Sequence, residues 1–246
     1  MKAIVFAAGL GTRLGHLTHN KPKALVSVAG KPLLGWLLIK LKYYSICDIV
    51  INVHHHAEQI VDFINNLKIE GLNIKISDET DFLLDTGGGL KKAAKLLDGN
   101  EPILVHNVDI LSNLDFFDLK SEFLRTNPDA LLVVKDRKSS RKLFFDNSGL
   151  LSGWINETSG EFISVEGKSD YKEKLGYCGI CVVNPKLPCD IDRNGAFGLI
   201  PAFLDLAAKK TIKSYKVFCN YIDVGKPETL KLADDFVNKY YKEFCL

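Results

Sequence analysis

Two cations, two carboxylates and a run of glycines stand out in this sequence, because together they would make a site for a nucleoside triphosphate (NTP). The first apolar run ends in AAGLGTRL (Ala7 to Leu14), and NKPKAL (Asn20 to Leu25) follows it. A glycine-rich turn at a strand end lets backbone N–H groups approach a phosphate chain or a base closely, so Ala8, Gly9, Gly11 and Thr12 are nucleotide-binding candidates. Arg13 and Lys23 add two positive charges to the same loop, enough to wrap a triphosphate; taken alone, Lys23 would read as a solvated loop lysine. Farther on, PILVHNVD (Pro102 to Asp109) and YIDVGKP (Tyr221 to Pro227) each carry an apolar run into an aspartate. Mg²⁺ takes one or two carboxylates plus substrate phosphates and keeps several waters, so Asp109 and Asp223 are the candidate Mg²⁺ ligands. Either aspartate alone would read as a helix cap or turn residue; the pair beside a phosphate loop reads as a metal site.

Other chemistries fail on spacing. A dinucleotide fold needs its helix directly after the glycines and an acidic residue about 20 positions on, at the end of the second strand. Here the second strand, DIVINV, ends far beyond Gly9 and is followed by His54. The G-x-x-x-x-G-K-[ST] loop of phosphate-binding NTPases is absent. His54, His55 and His56 are adjacent, so their side chains diverge, and Mg²⁺ prefers oxygen ligands; they read as a polar strand-to-helix turn. Cys178 and Cys181 have zinc and redox spacing, but they lie in a strand-like run where residues three apart face opposite sides, and no second pair completes four ligands. They read as buried structural thiols. Arg137 and Lys138 either meet an acceptor phosphate or cap an exposed turn, and the turn is the favoured reading.

These side chains need a scaffold that brings distant strand ends together. AIVFAA, KPLLGWLLIKLKYY, DIVINV, AEQIVDFINNL, NIKIS, TGGGLKKAAKLL, PILVHNVD and FFDLKSEFLRT alternate short apolar runs with helical patterns, the mark of a parallel sheet with helices on both faces. In such sheets ligands bind at the carboxyl edge of the strands. After ALLVVKD the rhythm changes to short strands punctuated by DNSG and ETSG, which read as hairpins, followed by a longer strand from Tyr177 to Val183. The fold class is therefore α/β: a Rossmann-like, mostly parallel central sheet flanked by helices, with a smaller mixed-sheet lobe. One domain over residues 1–246 is expected, with a nucleotide-binding half at about 1–136, a smaller lobe at about 137–220, which the family resemblance given below makes sugar-binding, and a closing turn and helix at 221–246. The C-terminal aromatics Tyr240, Tyr241 and Phe244 pack either on this domain or on a second subunit.

GLGTRLGHLTHNKPKALVSVAGKPLL resembles the signature of the sugar-1-phosphate nucleotidyltransferases, G-x-G-T-R-(x)n-P-K-P, and TGGG and Asp-Val-Gly bring it nearest to a short bacterial subgroup. It departs from the signature at Gly15-His16, where a proline is common, and at Ala24, which replaces the last proline; neither change removes a functional side chain. The resemblance implies a nucleotidyltransferase fold and transfer of a nucleotidyl group from an NTP, with UTP favoured, to a sugar 1-phosphate. The expected path is in-line attack on the α-phosphorus with release of pyrophosphate, and Mg²⁺ as cofactor. By this resemblance Arg13, Lys23 and Asp109 are catalytic, the first two holding phosphates, while Asp109 and Asp223 hold the metal. Gly87 and Gly88 in LLDTGGGL would contact the base; read from the residues alone, that segment is an Asp/Thr-capped helix start or a tight packing point. Asn107 and Gly179 would contact the sugar phosphate; alternatively Asn107 ties down its loop and Gly179 is a strand bulge.

Composition agrees with a small anionic substrate. The 246 residues carry 32 basic and 30 acidic side chains, net +2, with no basic block for a nucleic-acid arm or a membrane surface. No apolar run nears the roughly 20 residues of a membrane span, and the apolar start reads as a buried strand, not a signal core. Cys47, Cys178, Cys181, Cys189, Cys219 and Cys245 form no paired framework, which suits a cytoplasmic protein. A monomer or a homodimer is expected, with no nucleic-acid or membrane partner. Two competing functions remain: nucleotidyl transfer to a non-sugar phosphate such as phosphocholine, and a catalytically silent, nucleotide-sugar-binding regulatory subunit.

Overall fold

Strands whose apolar residues are consecutive need cover on both faces, and KAIVF, DIVINV and ILVHN find it between two layers of helices. The computed structural model describes residues 1–67, 69–241 and 244, so Cys245 lies outside the described residues. The chain opens with β1 (Lys2–Phe6), two short 3₁₀ turns (Thr12–Thr18 and Lys23–Leu25), a small ribbon of β2 (Ser27–Val28) and β3 (Lys31–Pro32), and α1 (Leu33–Tyr43). It continues through β4 (Asp48–Val53), α2 (Ala57–Asn65), β5 (Asn73–Asp78), α3 (Asp85–Ala93), β6 (Ile103–Asn107), β7 (Ile110–Ser112), α4 (Phe116–Thr126) and β8 (Ala130–Lys135). Then come β9 (Arg141–Phe145), β10 (Leu151–Asn156), β11 (Glu161–Ser164), the long β12 (Glu173–Val183), α5 (Leu199–Leu206), β13 (Ile212–Lys216), β14 (Tyr221–Asp223) and α6 (Glu228–Tyr240).

Strands β5, β4, β1 and β6 form the parallel core in that order. The chain steps outward from β1 to β4 and β5, then crosses back to β6 on the other side of β1. That reversal opens a crevice beyond the carboxyl ends of β1 and β6, where open α/β sheets bind ligands. On one face Ala3, Val5, Ile49 and Ile51 pack with Leu34, Leu37 and Leu41 of α1 and Phe236 of α6. On the other, Ile4, Phe6 and Val50 meet Leu90 of α3 and Leu199 and Phe203 of α5.

The second lobe hangs on β12. This strand runs antiparallel to β6 and β8 along its C-terminal part and to β9 along its N-terminal part, so it joins the core to the β9–β10–β11 meander. DNSG and ETSG are the turns of that meander: the Asp146 carboxylate accepts from the N–H groups of Ser148 and Leu150, and Gly149 and Gly160 have positive φ. Tyr241 and Phe244 are buried in the core beside Trp36 and Tyr44, so these C-terminal aromatics pack on their own domain. Cys178 and Cys181 face opposite sides of β12 in separate clusters as free thiols, pushed up by burial to about 11 and about 12 respectively. Among the described residues no helix is long and apolar enough to cross a membrane.

Candidate active site

The loop after β1 owes its shape to Gly11, whose φ of 66° suits glycine, and a Cβ there would stand 2.9 Å from Thr18 Cγ2 and 3.1 Å from Lys23 Cβ. The Thr18 hydroxyl hydrogen-bonds to the carbonyls of Gly11 and Gly15, at 3.0 and 3.2 Å, and folds the loop back on itself. Lys23 is thereby brought under the sheet edge, 8% exposed, with its Nζ on Oδ2 of Asp109.

Asp109 and Asp223 come from distant parts of the chain and are joined by a ribbon. β14 pairs antiparallel with β7, setting Asp223 opposite Ile110, and the Val224 N–H donates to the Asp109 carbonyl at 2.9 Å. Asp109 therefore lines the crevice, and Asp223 stands directly behind it. Oδ1 of Asp223 is enclosed without a hydrogen-bond partner. Burial raises the Asp223 carboxyl above the ordinary range, the Asp109 charge adds to that, and Lys23, Arg13 and Arg137 pull the other way. The Arg13 guanidinium lies along Gly225, where a Cβ would be 3.1 Å from Nη2 and 2.8 Å from Asp223 Oδ1. Two carboxylates repelling each other, one with an unsatisfied buried oxygen, and two cations beside them form a donor set suited to a hard divalent cation shared with phosphates. His106 contributes no acid or base here, since burial and then the Lys40 charge push its imidazole down to about 3.

The crevice has a volume of about 350 Å³, and Gly9, Gly11, Thr12, Arg13, Lys23, Asn107 and Asp109 line it. Five expected residues stand behind that wall. Asp223 touches it through Gly225 and Arg13 as described. Gly179 is both a bulge in β12, with φ of 74°, and a close neighbour of Asn107, whose Nδ2 would be 2.8 Å from a Cβ added there. Ala8 is buried and points its N–H away, at Asn52. Gly87 and Gly88 donate their N–H groups to the Phe197 carbonyl, at 2.8 and 3.2 Å, and a Cβ at Gly87 would lie 2.5 Å from the Phe197 ring. Their contacts are those of close packing, and Thr86 is the residue of this segment that lines the crevice.

Two expectations need correction. Asp85 is no N-cap: it is the first residue of α3, at φ of 56°, and its carboxylate accepts from the neighbouring Thr86 N–H. Tertiary groups do the capping, because Glu79 Oε2 accepts from Leu84 N and Phe197 O from Gly87 and Gly88. Arg137 is no exposed turn cap. It is half-buried, and its Nη2 donates to the Tyr177 carbonyl at 2.9 Å. Lys138 stays exposed on the turn. The histidines do form a turn, with His54 Nδ1 2.7 Å from the Glu79 carbonyl and His56 in the left-handed region. Among the described residues no three His, Cys, Asp or Glu side chains gather as a metal cluster.

The residues that sequence reading missed hold the loop from behind. Asn52, 3% exposed on β4, accepts through Oδ1 from the N–H groups of Ala7 and Ala8, at 2.7 and 3.2 Å. Its Nδ2 donates at 2.9 Å to Oε1 of Glu79, itself 1% exposed. The network therefore ties the loop after β1 to the start of α3. Its one sequence signal was the lone amide in DIVINV. Asn52→Ala should leave buried donors and an acceptor unpaired and cost about 3 kcal/mol of stability, read by urea unfolding. It should also raise the KM for NTP more than the KM for the acceptor; equal effects on both would remove the positioning role.

Comparisons with known proteins identify the family. Residues 2–142 match the family described as Nucleotidyl transferase. The N-acetylmuramate alpha-1-phosphate uridylyltransferase of Caulobacter vibrioides is 33% identical over 238 residues, covering 94% of each chain. The enzyme of the same name from Neisseria meningitidis serogroup B is 45% identical over 116 residues, 47% of this chain and 50% of the relative. Among solved structures, a putative glucose-1-phosphate thymidylyltransferase from Bacillus anthracis, in complex with a sucrose, superposes with a TM-score of 0.80 at 18% identity, covering 100% of this chain and 99% of that one. The chain belongs to the nucleotidyl transferase family, among its sugar-1-phosphate enzymes.

Proposed function

We propose that this enzyme transfers a uridylyl group from UTP to a sugar 1-phosphate, giving a UDP-sugar and pyrophosphate. The observation that carries the reading is that Arg13, Lys23 and Asp109 line one crevice at the switch point of the sheet, with Asp223 beside Arg13 at Gly225 just behind them. The triphosphate lies along the Gly9–Gly11 backbone, and the base lies toward Thr86, with Gly87 and Gly88 supporting that position by packing Phe197 closely behind it. Asn107, set by Gly179, orients the acceptor phosphate. A phosphate oxygen of the acceptor forms a bond to the α-phosphorus while the bond from that phosphorus to the bridging oxygen of the β-phosphate breaks. Arg13 and Lys23 offset the negative charge that grows on the departing pyrophosphate. Asp109 and Asp223 would hold Mg²⁺, which when bound neutralises phosphate charge. The free thiols of Cys47, Cys178, Cys181, Cys189 and Cys219 favour a reducing, cytoplasmic setting.

The test is pyrophosphate release by purified protein with UTP, CTP, dTTP, GTP and ATP, each against several sugar 1-phosphates including those of N-acetylmuramate and mannose, with and without Mg²⁺. The expected signal needs both substrates and the metal and is largest with UTP. Release with no acceptor dependence, or none with any pair, would overturn the proposal.

A further inference from the structure

Arg137 is held in place by three elements. The turn that carries it is pinned by the buried Lys142, whose Nζ donates to the Arg137 carbonyl. Its side chain lies in a notch made by the missing Cβ of Gly176, where an added Cβ would stand 2.8 Å from Cγ and 2.9 Å from Nε. The guanidinium carbon is 5.4 Å from the centroid of the Tyr221 ring, and Nη2 donates to Tyr177 O. Nε is enclosed and has no partner. Among the described residues no carboxylate pairs with Arg137, and Nη1 makes no hydrogen bond.

This arginine stands on the acceptor side of the site. Tyr221 precedes Asp223 by two residues on β14, and Tyr177 precedes Gly179 by two on β12. It does not line the crevice of Arg13 and Lys23; it lines a separate hollow of about 470 Å³ with Lys138, Lys142 and Thr158 and with the acids Asp136 and Glu157. Glu157 is already paired with Lys174 at 2.6 Å, so the hollow keeps a positive balance. An acceptor whose phosphate lies at Asn107 and Asp109 would direct its sugar ring toward this side. The guanidinium is fixed by these contacts, and its Nη1 donors are coplanar with the second N–H of Nη2, an arrangement that matches a carboxylate, which accepts two parallel N–H groups.

We propose that Arg137 selects an acidic acceptor: the Nη1 side of its guanidinium binds a carboxylate carried on the sugar ring of the sugar 1-phosphate. The inference rests on the transfer reaction proposed above. N-acetylmuramate 1-phosphate, a hexosamine with a lactyl acid, belongs to this acceptor class, and N-acetylglucosamine 1-phosphate is the same hexosamine without the acid.

The experiment compares kcat/KM for these two acceptors, with saturating UTP and Mg²⁺, in the unmodified enzyme and in Arg137→Ala, Arg137→Lys and Gly176→Ala. The unmodified enzyme should prefer the acidic acceptor. Arg137→Ala should lower kcat/KM at least tenfold more for the acidic acceptor than for the neutral one, through KM. Arg137→Lys should recover part of that loss. Gly176→Ala, which crowds the arginine without removing it, should raise the KM for the acidic acceptor selectively. A preference for the neutral acceptor, or an equal loss on both in Arg137→Ala, overturns the proposal and leaves uridylyl transfer standing. Absence of turnover with any sugar 1-phosphate overturns the transfer reading as well.

Discussion

Asp223→Asn should lower turnover on the order of a thousandfold while leaving the protein folded and no less stable near neutral pH. The rate argument follows from position. Asp223 is set beside Asp109 by the β7–β14 ribbon and the Val224 hydrogen bond, and a neutral amide in its place gives up half of the paired carboxylate charge. The stability argument follows from the shift of its carboxyl, which burial and then the Asp109 charge raise above the ordinary range. A raised carboxyl means that the folded protein holds the proton more tightly than the unfolded chain. Ionised Asp223 therefore costs stability above its folded pKa, and that cost disappears as pH falls through it. Asparagine carries no such cost. The variant should accordingly melt at or above the temperature of the unmodified enzyme near neutral pH, and the gap should close on acidification. Steady-state pyrophosphate release and thermal melts across pH test both halves. A variant that keeps more than a tenth of the rate rules out the metal-binding role, and one that melts well below the parent at every pH shows that the carboxylate is needed for folding.

Much of this site was legible because it sits at strand ends, and strand ends are marked by where apolar runs stop. The glycine loop after KAIVF, the aspartate after ILVHN and the one that ends YID were found that way, and so was the sheet whose carboxyl edge they share. Legibility failed where a group is explained by a partner far along the chain. The start of α3 looked locally capped by Asp85 and Thr86, but Glu79 and the Phe197 carbonyl supply the acceptors. The glycines after them give their N–H groups to the Phe197 carbonyl, a partner that nothing nearby in the sequence marks. Asn52 was one amide in an apolar strand, and nothing local tells that its oxygen holds the Ala7 and Ala8 N–H groups. Arg137 followed a strand and read as a turn residue, because the Gly176 notch and the Tyr221 ring come from β12 and β14. Gly179 is the instructive case: a strand bulge and a sugar-phosphate contact were posed as alternatives, and the structure has the bulge, which brings the bare Cα against the Asn107 amide, a neighbour that nothing local marks.

Lys23→Ala should lower kcat by about 10²–10³ and, unlike Asp223→Asn, should also destabilise the fold by about 3 kcal/mol. The two effects have separate causes in one side chain. Lys23 is nearly buried and its ammonium rests on Asp109, so removing it leaves a carboxylate beside Asp223 with its nearest countercharge gone. That is the stability effect. The ammonium has three donors, and the Asp109 contact occupies one, leaving the others for phosphate oxygens of the bound triphosphate. That is the rate effect. Lys23→Arg separates them, because guanidinium restores the charge against Asp109 but not the compact point charge or its reach. It should recover most of the stability and only part of the rate. Urea unfolding and single-turnover pyrophosphate release on both variants decide the matter. If alanine costs stability while the rate stays within tenfold, Lys23 is a counter-ion to the carboxylates alone, and Arg13 must carry the charge on the leaving pyrophosphate.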